Sequence, residues 1–209
     1  MIPIPPKPGK VNAYYVSNEI SHNNIIIGEG ETVFVEECKP TPELCLVTGT
    51  HGVCELPLNR VKSTDFELIS NPVHEAAKRG NVQLLESCLQ HGMSVNSLDK
   101  SGSTPLYWAS LNGHLNVVER LLQCEKVDVS SQNKMGDTAL HSAARKGYLK
   151  TCESLVKAGA PLNVANNDGK TPLDLSLNPE ISSFIKLSLE KIPPEDHIKE
   201  YQSSDEEET

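Results

Sequence analysis

Four side chains near the N-terminus have the chemistry of zinc ligands. Cys38, Cys45, His51 and Cys54 are separated by six, five and two residues. Thiolates and imidazoles bind zinc, but a tight C-x-x-C pair, which many zinc sites contain, is missing here. Scattered reduced cysteines are the competing interpretation, so we expect no bound metal and no other cofactor. A zinc-binding or thiol-based activity in residues 1–70 stays as the alternative function.

Motifs of the common catalytic sites do not occur in the chain. It contains no G-x-S-x-G, no Walker loop, no H-E-x-x-H and no G-x-G-x-x-G. These motifs position a nucleophile, a phosphate, a catalytic zinc ion and a dinucleotide, respectively. We therefore expect a protein that is not an enzyme and has no catalytic residue.

Composition and charge narrow the class of partner. The 209 residues are 37% hydrophobic and 22% charged, and the formal net charge is −9. A negative protein is repelled by phosphate groups, which argues against nucleic acid and anionic membranes as partners. No apolar run approaches the roughly 20 residues of a membrane helix, and the start lacks the apolar core of a signal peptide. We expect a cytoplasmic monomer.

A repeat with a regular period occupies the middle of the chain. Equivalent positions recur roughly every 33 residues, and they are Pro72, Pro105, Ala139 and Pro172. Glycines with the same spacing are Gly80, Gly113 and Gly147. The strings STPLYWA, DTALHSAA and KTPLDL resemble the T-P-L-H-x-A signature of the ankyrin repeat, which stacks helix pairs. The predicted solenoid covers residues 68–190, divided into repeats at 68–100, 101–134, 135–167 and 168–190.

The repeat strings also predict how the first helix of each pair begins. Thr104–Pro105 and Thr171–Pro172 combine a hydroxyl that caps a helix with a proline suited to the first helical position. Asn71–Pro72 makes the same pair in the first repeat. The resemblance implies a histidine that hydrogen-bonds across repeats after each T-P-L string. Tyr107 and Asp174 replace that histidine in the second and fourth repeats, which leaves the bonding there open.

Basic, aromatic and apolar residues on the predicted inner helices form the candidate binding surface. They are Tyr107, Trp108, Leu111, Lys78, Arg79, Arg145 and Lys146. The two basic pairs precede the closing glycine of their helices, so they either form a basic stripe for an acidic partner or stabilise negative helix ends. Trp108, the only tryptophan, is either an exposed interface anchor or core filler. Ankyrin repeats bind other proteins, so we expect protein partners for this surface.

The part of the chain before the repeats has a different pattern. The β-rich strings VNAYY, NNIII, TVFVEE and LCLV are separated by turn residues, which predicts a small all-β barrel or sandwich. Their order resembles an SH3 domain, and we place this SH3-like domain at residues 10–64. The linker STDFELIS is short. We therefore expect the barrel to sit against the first repeat, with Phe66, Leu68 and Ile69 covering its apolar end.

The ligand groove of this SH3-like domain is incomplete. An SH3 groove stacks a polyproline ligand on aromatic side chains and holds the ligand's basic residue with acids. Three residues match that groove: Tyr15, Pro57 and Asn59. Ser17 and Leu44 stand where aromatic residues belong, and Asn23–Asn24 stand where the acidic pair belongs. We predict a degenerate domain that does not bind ordinary proline-rich ligands. The alternative is a shifted alignment in which Tyr14 or Phe34 serves in the groove.

The N-terminal segment, residues 1–9, is rich in proline. Pro5–Lys10 fits the P-x-x-P-x-K pattern, which the SH3 domains of other proteins bind. A stiff, solvated segment is the competing interpretation, because short P-x-x-P matches are common. An SH3 domain of another protein is therefore a second expected partner.

The combination of these parts resembles one family. An SH3-like domain followed directly by NPVHEAAKRGN, STPLYWA and DTALHSAARKGY resembles the osteoclast-stimulating factor family of small cytoplasmic adaptors. The resemblance implies a multi-domain β + α protein, in which a small SH3-like β-barrel precedes an α-helical ankyrin-repeat solenoid. It also implies a non-enzymatic signalling adaptor or scaffold that binds partner proteins through the ankyrin-repeat surface.

The C-terminal residues 191–209 form an acidic tail. Pro193–Pro194 stops any helix, and four of the last five residues are acidic, so we expect this tail to be disordered. Ser203 and Ser204 each precede a glutamate by three residues, a pattern that suits acidophilic kinases. The family resemblance adds Tyr201 as a tyrosine-kinase candidate. An unmodified, solubilising tail is the alternative.

Overall fold

The structure has a β-rich N-terminal unit and a stack of helix pairs. It is a computed structural model, and the residues that it describes are 11–16, 20–22, 25–27, 31–37, 44–49, 52–57 and 66–191. The segment Pro5–Lys10 and the modification candidates Tyr201, Ser203 and Ser204 lie outside these residues, so what was expected of them stays a prediction.

The described residues from Asn71 onward form four helix pairs in two layers. Their helices are α1 (Pro72–Arg79), α2 (Val82–Gln90), α3 (Pro105–Asn112), α4 (Leu115–Leu122), α5 (Ala139–Lys146), α6 (Leu149–Lys157), α7 (Pro172–Leu175) and α8 (Pro179–Glu190). The inner helices α1, α3, α5 and α7 contact one another in a row, as do the outer helices α2, α4, α6 and α8. One apolar core runs through the stack. This is the arrangement that the regular period of the sequence predicts.

Threonine side chains begin three of the four inner helices. The Oγ1 atoms of Thr104, Thr138 and Thr171 accept the backbone N–H three residues later, at 3.2, 3.4 and 3.3 Å. The first inner helix departs from the prediction, because Asn71 has a left-handed backbone with φ of 55° and makes no side-chain cap. Asparagine tolerates this region better than most residues, and the chain turns here from the sheet into α1. Pro72 alone supplies the expected start signal.

Two glycines that end inner helices cannot be replaced by larger residues without a clash against a neighbouring ring. Gly80 and Gly113 both have φ of +72°. A Cβ atom on Gly80 would lie 2.6 Å from the His114 ring, and one on Gly113 would lie 2.7 Å from the Tyr148 ring. His114 and Tyr148 each start the outer helix of the following repeat. The second and third repeats thus each pack an aromatic ring on a glycine of the preceding repeat, where a side chain would clash.

Buried histidines connect neighbouring repeats. Nε2 of His74 lies 2.9 Å from the Ser103 carbonyl oxygen, and Nε2 of His141 lies 3.0 Å from the Lys170 carbonyl oxygen. These are the cross-repeat bonds that the family resemblance implied. Asp174 has a local role in the fourth repeat, because its Oδ2 accepts the Thr171 N–H at 2.9 Å and completes a capping box.

The described residues of the N-terminal unit form seven short strands. They are β1 (Val11–Val16), β2 (Ile20–His22), β3 (Ile25–Ile27), β4 (Thr32–Glu37), β5 (Leu44–Gly49), β6 (Gly52–Pro57) and β7 (Phe66–Leu68). Five of them form one antiparallel sheet in the order β6-β5-β4-β1-β7, and β2 pairs with β3 separately. Pairing among the described residues does not join β6 to β7, so it does not show a closed barrel.

The sheet packs on the first repeat through Ile69, which was expected, and through Phe34, which was not. The Ile69 N–H donates to the Ala13 carbonyl at 2.9 Å, and the Phe34 ring stacks on His91 with centroids 4.1 Å apart. Ile69 is buried, as expected, whereas Leu68 is 55% exposed, contrary to the expectation. The reason is that Phe66–Leu68 pairs with β1 as a fifth strand instead of forming a linker.

Candidate protein-binding surface

The turns that lead into the second, third and fourth repeats share one hydrogen-bond pattern. They occupy residues 99–102, 133–136 and 166–169, and we call them the fingers. The Oδ1 atom of the first residue, Asp99, Asn133 or Asn166, accepts the backbone N–H groups two and four residues later at 2.9 to 3.1 Å. A side chain that accepts two backbone donors holds each finger in a fixed shape.

Backbone hydrogen bonds join the fingers into one row. The Lys134 N–H donates to the Ser101 carbonyl at 3.0 Å, and the Asn167 N–H donates to the Met135 carbonyl at 3.0 Å. The Asn167 side-chain amide adds a bond to the Lys134 carbonyl at 2.9 Å. We define the finger surface as the three fingers together with the exposed side chains of α1, α3 and α5. The bonds make it a continuous platform.

Trp108 lies half-buried on this surface and is held on two sides. Its indole N–H donates to Oδ2 of Asp99 at 2.8 Å. The Lys78 ammonium lies 4.3 Å from the centroid of the ring, within the range of a cation–π contact. Trp108 is thus neither pure core filler nor a free aromatic face. It connects the first finger to the inner helix α3, and the Lys78 ammonium lies over its ring.

The Asp99 carboxylate is ionised at all physiological pH values. Burial opposes its charge, but hydrogen bonds from Ser101, Ser103 and Trp108 outweigh that effect and lower the pKa of Asp99 to about 2. Donors aimed at a carboxylate stabilise its charged form. The first finger therefore has a negative charge at its base, and Trp108 contacts both this carboxylate and the Lys78 ammonium.

Tyr107 is not available as a surface contact. The side chain is 5% exposed, and burial raises the pKa of its hydroxyl. Its ring meets the Trp108 ring edge-on with centroids 5.8 Å apart. The reason is its place in the repeat, since Tyr107 is equivalent to the buried histidines His74 and His141. The expectation that Tyr107 contributes to an exposed patch is therefore wrong.

Two of the four predicted basic residues have carboxylate partners within the stack. Arg145 donates to the buried Asp137 at 2.7 Å, and Arg79 pairs with Glu75 at 2.5 Å. Asp137 also accepts a hydrogen bond from Asn166 at 2.7 Å. A buried carboxylate needs such a partner, so Arg145 has a structural role. Lys146, by contrast, is exposed at the end of α5, and Leu111 is half-buried on α3.

Lysines on the first two fingers and beside the third are surface residues that the sequence prediction missed. Lys100, Lys134 and Lys170 are exposed, and no carboxylate of the described residues lies within ion-pair distance of them. Met135 stands beside Lys134 and is 57% exposed. Lysine occupies the same place in the successive strings DKSG and NKMG, which is a signal visible in the sequence.

The structure places part of the predicted SH3 groove on paired strands. Tyr15 lies on β1, and the backbone of Pro57 on β6 pairs directly with Leu44 on β5. Leu44 is the residue that replaces the groove tryptophan. Asn59 lies outside the described residues.

Two of the four candidate zinc ligands lie outside the described residues. Cys45 and Cys54 lie on the paired strands β5 and β6, whereas Cys38 and His51 are not described. In the part of the chain that is described, no cluster of three or more His, Cys, Asp or Glu could hold a metal ion. Two cysteines of the stack are inert, because burial raises the pKa of Cys88 and of Cys152 to about 12.

The fold and the finger surface define an ankyrin-repeat protein with a β-rich unit before the repeats. Family models described as ankyrin repeats (many copies) and ankyrin repeats (3 copies) match residues 73–122 and 121–187. The ankyrin prediction is confirmed. Among the residues described, no helix combines the length and the apolar character that a membrane crossing needs.

Similar proteins narrow this class to one family. Osteoclast-stimulating factor 1 of Mus musculus is 42% identical over 192 residues, which cover 88% of this chain and 86% of the relative. The Bos taurus protein is 41% identical with the same coverage, and the Danio rerio protein is 40% identical over 195 residues, 90% of this chain and 88% of the relative. The chain belongs to the osteoclast-stimulating factor 1 family.

Proposed function

We propose that this protein is a non-enzymatic, cytoplasmic signalling adaptor that binds partner proteins through its finger surface. The observation that carries the proposal is the row of hydrogen-bonded fingers, which presents exposed lysines and Met135 on a rigid platform. Protein-binding surfaces gain affinity when side chains are held in place before binding, because little entropy is lost. Family membership and the ankyrin repeats support protein interaction as the general role.

The proposal assigns separate roles to the other parts of the chain. Residues 10–64 are proposed to form a degenerate SH3-like barrel that does not hold ordinary proline-rich ligands. Segment Pro5–Lys10 is a proposed ligand for the SH3 domain of another protein. The repeats, residues 68–190, are the main binding unit of a monomer, with protein rather than nucleic acid or membrane as partner. The five-stranded sheet supports the proposal of a compact β-rich unit at residues 10–64.

Affinity measurements with matched surface variants test the proposal. Partners are captured with the full-length chain, purified, and titrated against two double variants. Lys134→Glu with Met135→Ala changes the finger surface, whereas Lys150→Glu with Leu187→Ala makes the same kind of change on the outer helices, where Leu187 is 56% exposed. We expect affinity to fall about tenfold or more for the finger variant only. Equal affinities of the two folded variants would move the binding site elsewhere.

A further inference from the structure

Charge is divided unequally between the helical stack and the tail. Residues 71–191 contain 12 acidic and 13 basic residues, so the stack is nearly neutral. Residues 192–209 contain seven acidic residues and one lysine, which is most of the net charge of −9. A strongly acidic segment is therefore attached directly to a stack whose acidic and basic residues are nearly equal in number.

Exposed lysines lie on both sides of the stack, but most of its exposed acidic residues lie on the outer helices and the loops after them, at Glu119, Glu125, Asp128, Glu153, Glu180 and Glu190. Lys100, Lys134 and Lys170 lie on or beside the fingers, and Lys146 ends the inner helix α5. On the finger side the exposed carboxylates are those of Asp168 and Asp174, while Asp99 is half-buried and Asp137 is buried against Arg145. This side therefore carries more lysines than exposed carboxylates, which produces a local positive potential even though the whole protein is negative.

The tail is long enough to reach these lysines. Each earlier outer helix is followed by a loop that leads into the next finger, as residues 91–98 lead from α2 to the finger at 99–102. The last outer helix, α8, ends at Glu190, and the tail follows it at the equivalent point of the repeat. Eighteen residues follow Lys191. They span up to about 60 Å when extended, and neighbouring helices lie only about 10 Å apart.

We propose that the acidic tail docks in cis on the finger lysines, with the carboxylates of residues 205–208 facing Lys134 and Lys170. The inference rests on the proposed function, because the tail then covers the surface that partners use. A tethered segment has an effective concentration of about 1 mM, so many weak charge contacts suffice. Phosphate on Ser203 or Ser204 adds about two negative charges and strengthens the docking. The tail thereby selects partners that can displace it.

Carbodiimide cross-linking of the full-length protein at low concentration tests the docking. This reagent joins carboxylates to amines that are in contact, and mass spectrometry identifies the linked residues. We expect tail cross-links to Lys100, Lys134 and Lys170, and at least fivefold fewer to Lys150, which is also exposed but lies on the outer helix α6. They should disappear at about 1 M salt, where the Debye length is near 3 Å. Links distributed evenly over all lysines, or formed only between two molecules, would overturn the proposal.

A charge-reversal pair supplies the control. Lys134→Glu should reduce tail cross-links at Lys100, whose amine is unchanged, by at least threefold, while Lys150→Glu should leave them as they were.

Neutralising the tail in the full chain, with Asp205→Asn, Glu206→Gln, Glu207→Gln and Glu208→Gln, should strengthen the binding of a captured partner. An unchanged partner affinity would contradict the docking. The finger variant Lys134→Glu with Met135→Ala, measured in this neutral-tail chain, tests the binding surface itself and keeps the two conclusions separate.

Discussion

The indole N–H of Trp108 donates to the Asp99 carboxylate across 2.8 Å, so the inner helix of the second repeat holds the finger that precedes it. This contact gives Trp108 a structural role on the surface that we propose for binding. Truncation to alanine would disturb the finger as well as any interface, because the donor, the ring and the Lys78 contact are lost together. A test of Trp108 has to separate these effects.

Removing only the donor of Trp108 should destabilise the stack. Trp108→Phe keeps an aromatic ring and leaves the Asp99 carboxylate without one hydrogen bond, which should lower the free energy of unfolding by about 1 to 3 kcal/mol. Urea denaturation measures the change. Asp99→Asn is the second arm of a double-mutant cycle, in which the two losses should not add. Strict additivity would mean that the two side chains act independently.

Acid should weaken the stack through its buried histidines. Burial lowers the pKa of His74 and of His141 below the ordinary value of 6.5, with hydrogen bonds to carbonyl groups opposing the effect. Below pH 6.5 the unfolded chain therefore binds more protons than the folded chain. The free energy of unfolding is greatest above pH 6.5 and falls as the pH drops below that value. Urea midpoints between pH 7.5 and pH 5.5 should decrease. A flatter profile is expected for His74→Gln, and an unchanged profile would contradict this assignment.

The glycine at the end of α3 should tolerate alanine poorly. Gly113→Ala places a Cβ atom 2.7 Å from the Tyr148 ring, whereas nothing lies within 4 Å of the same atom in Gly147→Ala. Both variants lose about 1 to 2 kcal/mol, because both positions have left-handed backbones. The clash should cost Gly113→Ala about 1 to 3 kcal/mol more. Equal melting temperatures of the two variants would show that the ring moves away freely.

The N-terminal unit, which we propose to be a degenerate SH3-like domain, should fail to bind ordinary proline-rich peptides. When the full-length chain is titrated with P-x-x-P peptides, we expect no saturation below about 1 mM in the amide NMR signals of β1 and β6. Leu44→Trp supplies the missing stacking face on the strand that pairs with Pro57, and should increase affinity. Micromolar binding by the unmodified chain would refute the loss of the groove.

The sequence predicts the helix pairs well, because each repeat carries its own start and stop signals. Threonine caps and closing glycines are local features, and Thr104, Thr171 and Gly113 behave as their types suggest. The prediction fails at Asn71, which follows the sheet, has a left-handed backbone and makes no side-chain cap. Phe66–Leu68 was placed in a linker for a similar reason, since strand pairing with β1 is a contact between distant residues.

The site was harder to predict, because the candidate residues were chosen by type rather than by place in the repeat. Tyr107 occupies the position of the buried histidines, so its burial follows from the repeat alignment. Arg145 is recruited by Asp137, eight residues earlier in the chain, which composition does not reveal. The lysines of the fingers are conspicuous only when successive turns are aligned with each other.

Hydrogen exchange of the full-length protein with and without a purified partner tests the central claim most directly. We predict slower exchange of backbone amides in the fingers at 99–102 and 133–136 when the partner is bound, because an interface there excludes water and restricts local opening. Exchange in the outer helices α4 and α6 should stay the same. Protection confined to these outer helices or to the strands of the sheet would contradict binding through the finger surface.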